Sequence, residues 1–492
     1  EKHIAYNLFL EVYEKNLHFK QALYNACSLC FEIGVYDKIL VLLEKFVTIN
    51  KYDRRIYQAI SKIYATLGKI DLAIKYLKII INEEPENLKA YSSFLFSLLY
   101  SENYNQKNYI RYALAYSKKV KIYNEEEKKP LIIKSNKRIK LGFITPHFDG
   151  NSIDGFLEDF LNYIDKNTFE LNAFNLNFSD KKSGHLKPLF NNWYHVAGLN
   201  DLELINFIRE KEINILIDLV GHGPNNRLVI FKNRSAPIQI SWLGYCNSTG
   251  LKEIDYIVVD KFVVKESEKE HYSENFLYAP NIWNTHKLMD EKLKISSPPF
   301  NQNKYLTFGS FNNFNKISSI TANVWSEILE KTGAKLILKS SLHNKKNVEQ
   351  DIRNKFAKNI IKKDQIEILE SPRDQLEHIK MYNKIDVCLD TFPYNGVTTS
   401  FEAIWMGVPV LTMKGYNFIS RCGESINKNL NMTNLISKNE NDYFLQACKI
   451  ASDKENITKM REHIFNTALS TPLFDTKDFS YQFFDKLKKL IK

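Results

Sequence analysis

Residues 386–415 read DVCLDTFPYNGVTTSFEAIWMGVPVLTMKG, and their order of element types decides the fold class. The apolar run DVCLDT (386–391) has the length and bounding turn residues of a buried strand that ends at Asp390. Pro393, Asn395 and Gly396 then mark a turn. Thr398, Thr399 and Ser400 open an amphipathic helix, and VPVLTM (408–413) is a second strand. Strand, helix, strand is the repeating unit of a parallel sheet. The backbone N–H groups at such a helix start, with the helix dipole behind them, attract an anion. The hydroxyls of Thr398 and Thr399 add donors for phosphate oxygens. Glu402, read as lying in the first helical turn, offers a carboxylate to a pair of ribose hydroxyls. A blander reading fits the same residues: the threonines cap the helix and Glu402 completes a capping box.

Working outward, short Ile/Leu/Val runs alternate with amphipathic helices. Strands are expected at 140–145, 213–219, 238–243 and 255–260. After the break SSPPFNQNK (296–304) come strands at 305–311, 334–340, 366–369, 386–391 and 408–413. Two such sets predict an α/β chain with two Rossmann-like domains, at 138–297 and 298–492. Ligands of such sheets bind beyond the carboxyl ends of the strands, and two facing domains place a cleft between them.

Upstream, Gly34 and Gly68 are 34 residues apart, as are Asp37 and Asp71. Each glycine sits between two helical patterns, and Pro85 closes the second unit. A helix pair of this kind buries its apolar stripe only by stacking on neighbours. The pattern resembles tetratricopeptide repeats and predicts an all-α domain over 1–123, with 88–121 as a cap. The charged stretch NEEEKKPLIIKSNK (124–137) reads as a linker.

Two further regions carry chemistry. FGSFNNFNK (308–316) is a strand running into a polar loop that ends at Lys316, a cation placed to neutralise a leaving diphosphate. GFITPHFDGNSIDGFL (142–157) brings His147, Asp149 and Asn151 after a strand, and IDLVGHGPNNRL (217–228) brings His222. Two strand-end histidines facing one cleft suit a base or a donor to a sugar. There is no H-E-x-x-H and no D-x-D pair.

Composition is that of an ordinary globular protein, 44% hydrophobic and 25% charged over 492 residues. No run approaches the roughly 18 apolar residues of a membrane helix. No secretory apolar segment opens the chain. The first residue is Glu1 rather than Met, so residues before it are expected. Net charge is +11, but the lysines are dispersed among acids and no nucleic-acid-binding motif accompanies them. Six scattered cysteines suit a reducing compartment, and Cys27-x-x-Cys30 reads as core packing.

Five blocks occur together and in order: ILIDLVGH, RSAPIQISWLGYCNSTGLKEIDYIVVD, FGSFNNFNKI, DVCLDTFPYNGVTTSFEAIWMGVPVLT and ISRCGES. With the repeats, they resemble the O-linked N-acetylglucosamine transferases and their SPINDLY-type relatives, bacterial members above all. The resemblance implies a GT-B fold and a cytoplasmic protein. It implies metal-free, inverting transfer from a nucleotide sugar to Ser or Thr of a polypeptide held in the repeat groove, without nucleic acid or membrane insertion. It implies that Lys316 stabilises the diphosphate and that Gly396, Thr398 and Thr399 meet it, with Asn395 among the donor-binding residues. Glu402 stands at a ribose-binding acid, His378 near the nucleobase, and Asn313 and Lys339 on the donor side. Gly244, His222 and Asn151 fall on the sugar and acceptor side.

The sequence departs from the family pattern in its first loop. His147 stands where an Asp is usual and Asn151 where a His is usual, so His147 joins Lys316 as the candidate catalytic pair. Glu402 replaces Asp of some members, and Val397 replaces a histidine. UDP-N-acetylglucosamine is the leading donor and GDP-fucose the alternative. Asparagine is a second acceptor type, and a repeat scaffold with an impaired transferase body is the reading from another class.

Overall fold

The computed structural model describes residues 1–123, 137–148, 150, 152–179, 183–286, 293, 296–340, 345–356, 363–372 and 374–491. All of the expected linker except Lys137 lies outside them. The chain opens with seven helices: α1 (Lys2–Lys15), α2 (Lys20–Ile33), α3 (Asp37–Ile49), α4 (Arg54–Thr66), α5 (Ile70–Glu83), α6 (Leu88–Leu98) and α7 (Gln106–Lys119). There follow β1 (Ile139–Thr145), α8 (Ser152–Leu161), β2 (Phe169–Asn175), β3 (Asn192–His195), α9 (Asp201–Glu210), β4 (Ile215–Asp218), α10 (Leu228–Lys232), β5 (Ile238–Ser241), β6 (Tyr256–Val259) and β7 (Asn275–Tyr278). The next stretch forms α11 (Phe300–Asn303), β8 (Thr307–Ser310), α12 (Ser319–Thr332), β9 (Lys335–Ser340), α13 (Lys345–Phe356), β10 (Ile366–Glu370), α14 (Gln375–Lys380) and β11 (Val387–Leu389). Last come α15 (Thr398–Trp405), β12 (Val410–Met413), α16 (Cys422–Asn429), β13 (Ile436–Ser437), α17 (Glu440–Ser452), α18 (Lys454–Thr467) and α19 (Thr476–Ile491). No helix among the described residues is long and apolar enough to cross a membrane.

The chain folds into two compact units. The first comprises residues 1–102, 296–394 and 439–458. In it α2 and α3, then α4 and α5, form the helix pairs that the 34-residue period predicts. Gly34 (φ 71°) and Gly68 (φ 67°) take the left-handed conformation that ends the first helix of each pair. Val35 N–H and Lys69 N–H reach back to the carbonyls of Cys30 and Tyr64, satisfying orphan groups of the preceding helix. Leu10, Leu23, Ile39, Leu43, Phe46, Ile56, Ile60 and Ile63 are fully buried along this array. Cys27 and Cys30 pack into the same core as free thiols, as expected. Below the array, strands pair in parallel in the order β10-β9-β8-β11. Ser318 caps α12, and Gly333 ends it at φ 65°.

The second unit comprises residues 103–295, 395–438 and 459–492. Its seven strands run parallel in the order β3-β2-β1-β4-β5-β6-β7, and β12 pairs with β13. The strand order reverses between β1 and β4, the switch point at which open parallel sheets bind ligands. α7, expected in the cap of the helical array, belongs to this unit. Its Gln106 and Tyr109 find their partners here: Gln106 Nε2 donates to Asn247 Oδ1 (2.7 Å), and Tyr109 donates to the Ser248 carbonyl (2.7 Å). The C-terminal α19 packs on α8, with Phe479, Phe483 and Phe484 around Phe160.

Four strands escape the sequence reading: β2, β3, β7 and β13. β2 reads FELNAFN, with two asparagines where a buried strand shows aliphatics. Asn172 is nevertheless buried, because its amide donates to the Leu141 carbonyl (3.4 Å) and its oxygen accepts from Asn192 (2.9 Å). β3 and β7 are edge strands, and β13 has only two residues.

Candidate active site

In the second unit the loops after β1 and β4 flank the switch point. After β1, His147 N–H donates to Thr145 Oγ1 (3.0 Å). Asp149 and Asn151 lie outside the described residues. After β4, the Asp218 carboxylate accepts from the Val220 and Gly221 N–H groups (3.1 and 2.8 Å), and burial pushes it up to about 7. Gly221 is left-handed (φ 54°), and a Cβ there would lie 2.4 Å from Tyr245, so only glycine fits. This turn delivers His222.

His222 is 2% exposed, edge-on to Tyr116 (4.7 Å) and Tyr245 (5.4 Å). Its Nε2–H donates to the Thr249 carbonyl (2.9 Å), which fixes the tautomer. Burial lowers its pKa to about 4, against a smaller opposing effect of the Thr249 bond. The ring is therefore neutral through the physiological range. Gly244 abuts the same strand end: a Cβ there would lie 1.9 Å from the Leu219 carbonyl oxygen.

This shift has a consequence for stability. The unfolded imidazole takes a proton near pH 6.5, the folded one near 4. Between these values the unfolded state holds more protons, so stability rises with pH. His222 thus contributes stability that is complete above pH 6.5 and is lost as pH falls toward 4, on the order of 3 kcal/mol. His222→Gln is expected to flatten the pH dependence of the urea midpoint between pH 4.5 and 7. Parallel curves for the variant and the parent would contradict it.

α15 starts at Thr398, with Val397 as its N-cap and no side-chain cap. The capping-box reading is thus not realised. Glu402 is the fifth residue of the helix, so it lies one turn further in than the sequence reading placed it, and it is 8% exposed. Asn395 is fully buried and accepts from Gly423 N–H (3.2 Å), while the Gly396 carbonyl accepts from Ser400 (3.2 Å).

The sequence reading missed His286. It stacks on Phe156 (4.4 Å) and closes on Gly155, where a Cβ would lie 2.7 Å from the ring. Burial lowers its pKa to about 4, with the nearby charge of Glu402 opposing. Asn284 Oδ1, Thr285 Oγ1 and His286 Nδ1 are all buried and have no hydrogen-bond partner among the described residues. No spacing in the sequence flags this segment. The ISRCGES block turns out to clamp the unit: Arg421 holds Glu268 through two 2.7 Å bonds, and Ser425 donates to Asp260 (2.7 Å).

In the first unit, Asn313 precedes the 3-10 turn Phe314–Lys316 and is exposed. Its carbonyl accepts from Lys316 N–H (2.9 Å). Its neighbour Asn312 is buried and donates to Asp390 at the end of β11 (3.4 Å). Lys316 Nζ lies 4.7 Å above the Tyr394 ring. Lys339, at the end of β9, is 3% exposed. Its ammonium faces Phe311 (4.4 Å) and Tyr382 (5.5 Å) and lies 2.9 Å from the His378 ring nitrogens. A buried cation requires such partners. The structure therefore joins Lys339 with His378 in one unit, and Glu402 with the previously unremarked His286 in the other.

The family model of glycosyl transferase family 41 matches residues 74–297 and 300–483. The chain belongs to this family. It is 30% identical over 352 residues to a probable UDP-N-acetylglucosamine–peptide N-acetylglucosaminyltransferase SPINDLY of Solanum lycopersicum, covering 69% of this chain and 37% of that protein. The corresponding SEC protein of Arabidopsis thaliana is 25% identical over 69% of this chain and 36% of its own length. A UDP-N-acetylglucosamine–peptide N-acetylglucosaminyltransferase of Caenorhabditis elegans is 21% identical over 73% and 41%. The family-41 chain thus spans about two fifths of the length of these relatives. A Thermobaculum terrenum O-GlcNAc transferase mutant shares its fold, with a TM-score of 0.87 at 24% identity over 99% of this chain and 93% of that one. The fold of the family-41 chain is accordingly GT-B, with parallel Rossmann-like sheets preceded by helices.

Proposed function

We propose that this chain transfers a sugar from a nucleotide donor to a Ser or Thr hydroxyl of a polypeptide, with inversion and without a metal. The observation that carries the reading is α15: a helix start without a side-chain cap, with a carboxylate buried one turn in. N–H groups of such a start, with the hydroxyls of Thr398 and Thr399, suit the diphosphate. Glu402 suits the ribose hydroxyls. Lys316 supplies the positive charge that the departing diphosphate needs, and this matters most as the glycosidic bond breaks. Asn313, Lys339 and His378 are assigned to the donor side, and Asn395 and Gly396 to the turn that precedes α15.

In the proposed step the acceptor oxygen bonds to the anomeric carbon while the bond from that carbon to the diphosphate oxygen breaks. The hydroxyl proton passes to a base. His147 is assigned that role, with Asn151, His222 and Gly244 shaping the sugar and acceptor side. The neutral His222 ring is compatible with hydrogen bonding to a substrate. The helical array is assigned to the polypeptide. The free cysteines suit a cytoplasmic protein.

The leading donor is UDP-N-acetylglucosamine, after the names of the relatives; GDP-fucose is the alternative. Thermal unfolding with UDP, GDP, UDP-N-acetylglucosamine and GDP-fucose tests this. A ligand at about 100 times its Kd stabilises by about 2.7 kcal/mol. A rise in melting temperature with the UDP pair alone is expected. A rise with the GDP pair alone would reassign the donor to fucose. No rise with any of the four would refute the nucleotide site and favour a scaffold.

A further inference from the structure

We propose that the helical array positions Lys316 through an aromatic relay, from Tyr100 to Tyr394 to the lysine. The inference rests on the proposed role of Lys316 and adds how that side chain is held.

All members of the relay lie in the first unit. Tyr100 follows α6, the last helix of the array in that unit. Its ring stacks on Tyr394 at 4.1 Å and 22°, and a side-chain hydrogen bond also joins the two tyrosines. Phe96, one turn earlier, approaches both rings (5.7 and 6.5 Å). On its way from β11 to α15 the chain passes Tyr394, over whose ring the Lys316 ammonium sits at 4.7 Å. The quadrupole of an aromatic ring attracts a cation at its face, so the ring's position limits where the ammonium rests.

The array also meets the Lys316 turn directly. The left-handed Gly68 lies against it: a Cβ there would stand 3.4 Å from the Phe314 carbonyl oxygen and 3.5 Å from Asn315 Cα. Lys355 would be struck by the same Cβ at 2.4 Å, and its ammonium donates to the Ile317 carbonyl (2.8 Å). Next to Tyr100, Ser101 donates to Asp71 of α5 (2.6 Å), which ties the relay to the second helix pair. The Glu102 carboxyl meets the side chain of Ser318, the cap of α12 directly after the turn. The turn that carries Lys316 is thus bounded on one side by the repeats and on the other by its own sheet.

A flexible lysine loses much rotamer freedom when it engages one phosphate, so a side chain already held over a ring is pre-organised for that contact. Tyr100 and Tyr394 are therefore positioning residues that act through Lys316. A repeat array whose end packs on this turn can transmit acceptor binding to the lysine.

The test separates the terminal phosphate from the rest of the nucleotide. Binding of UDP and UMP, and of GDP and GMP, is measured by titration calorimetry on the parent chain, Tyr100→Leu and Tyr100→Phe. Leucine keeps apolar volume and removes the aromatic face, whereas phenylalanine keeps the stack and removes only the hydroxyl. We expect Tyr100→Leu to weaken the diphosphate about five- to ten-fold, the order of one cation–π contact, with the monophosphate unchanged. Tyr100→Phe should rescue diphosphate binding to within about two-fold. Equal weakening of diphosphate and monophosphate, or unchanged diphosphate binding in Tyr100→Leu, would overturn the relay alone. A parent chain that binds neither diphosphate would overturn the nucleotide site and the relay together.

Discussion

Lys316→Ala is expected to lower kcat for sugar transfer by about 10²- to 10³-fold, the range seen when one group aimed at developing charge is removed. Lys316 is partly exposed on a 3-10 turn, so folding should barely change, by at most about 0.5 kcal/mol. The effect should fall on kcat more than on KM. In the proposed role the diphosphate gains negative charge as the glycosidic bond breaks, and the ammonium would bind that state better than the intact donor. Initial rates with nucleotide sugar and acceptor polypeptide, beside a melting curve, decide the matter. Retention of more than half the parent rate would remove Lys316 from the catalytic pair. A large rate loss with an equally large drop in melting temperature would make it structural.

Phe160→Ala is expected to cost about 3–5 kcal/mol of stability, the range for a fully packed phenylalanine. Phe160 is 1% exposed. It stacks on Phe484 (4.5 Å, 22°) and meets Trp242 (4.8 Å), Phe483 (5.6 Å) and Phe479 (6.1 Å). The Phe160 carbonyl also accepts from Ser480 (3.2 Å). Truncation would leave three aromatic rings of α19 facing a cavity, and α19 is what the end of the chain uses to cover α8. Urea unfolding followed by tryptophan emission reads the loss, since Trp242 borders the cavity. A decrease under about 1 kcal/mol would show that α19 collapses onto the gap and that the cluster is loosely packed. Phe160→Leu should cost less than half as much, because it retains most of the buried apolar volume.

Local pattern carries a long way in this chain. The 34-residue spacing of Gly34 and Gly68 located the helix pairs, because only glycine turns the chain there without strain. The strands with continuous Ile, Leu and Val runs, β1, β4, β9 and β12, lay where their composition put them. The strands that did not show themselves are those whose burial depends on partners. Asn172 becomes a core residue only because Asn192 on the neighbouring strand and the Leu141 carbonyl receive it. An edge strand such as β7 needs one buried face, so its run is short and mixed.

The candidate site divides in the same way. Lys316, Thr398, Thr399 and Glu402 were legible as residue types at strand ends and a helix start. That α15 has no side-chain cap, and that Glu402 lies a full turn in, depended on where Val397 let the helix begin. The pairing of Lys339 with His378 spans 39 residues. The approach of His286 to Gly155 and Phe156 spans about 130 residues, and nothing periodic announces it.

By itself, then, the sequence determined the alternation of strands and helices, the repeats, the two parallel sheets and the residue types proposed to meet a diphosphate. These follow from backbone geometry and from apolar spacing, which act within a few residues. Tertiary structure alone decided that His222 is neutral and locked to Thr249, that Tyr394 faces Lys316 and Tyr100 together, and that His286 stands near Glu402. Burial and charge act through space, so residues far apart in the chain set one another's protonation and position only once the fold has brought them together.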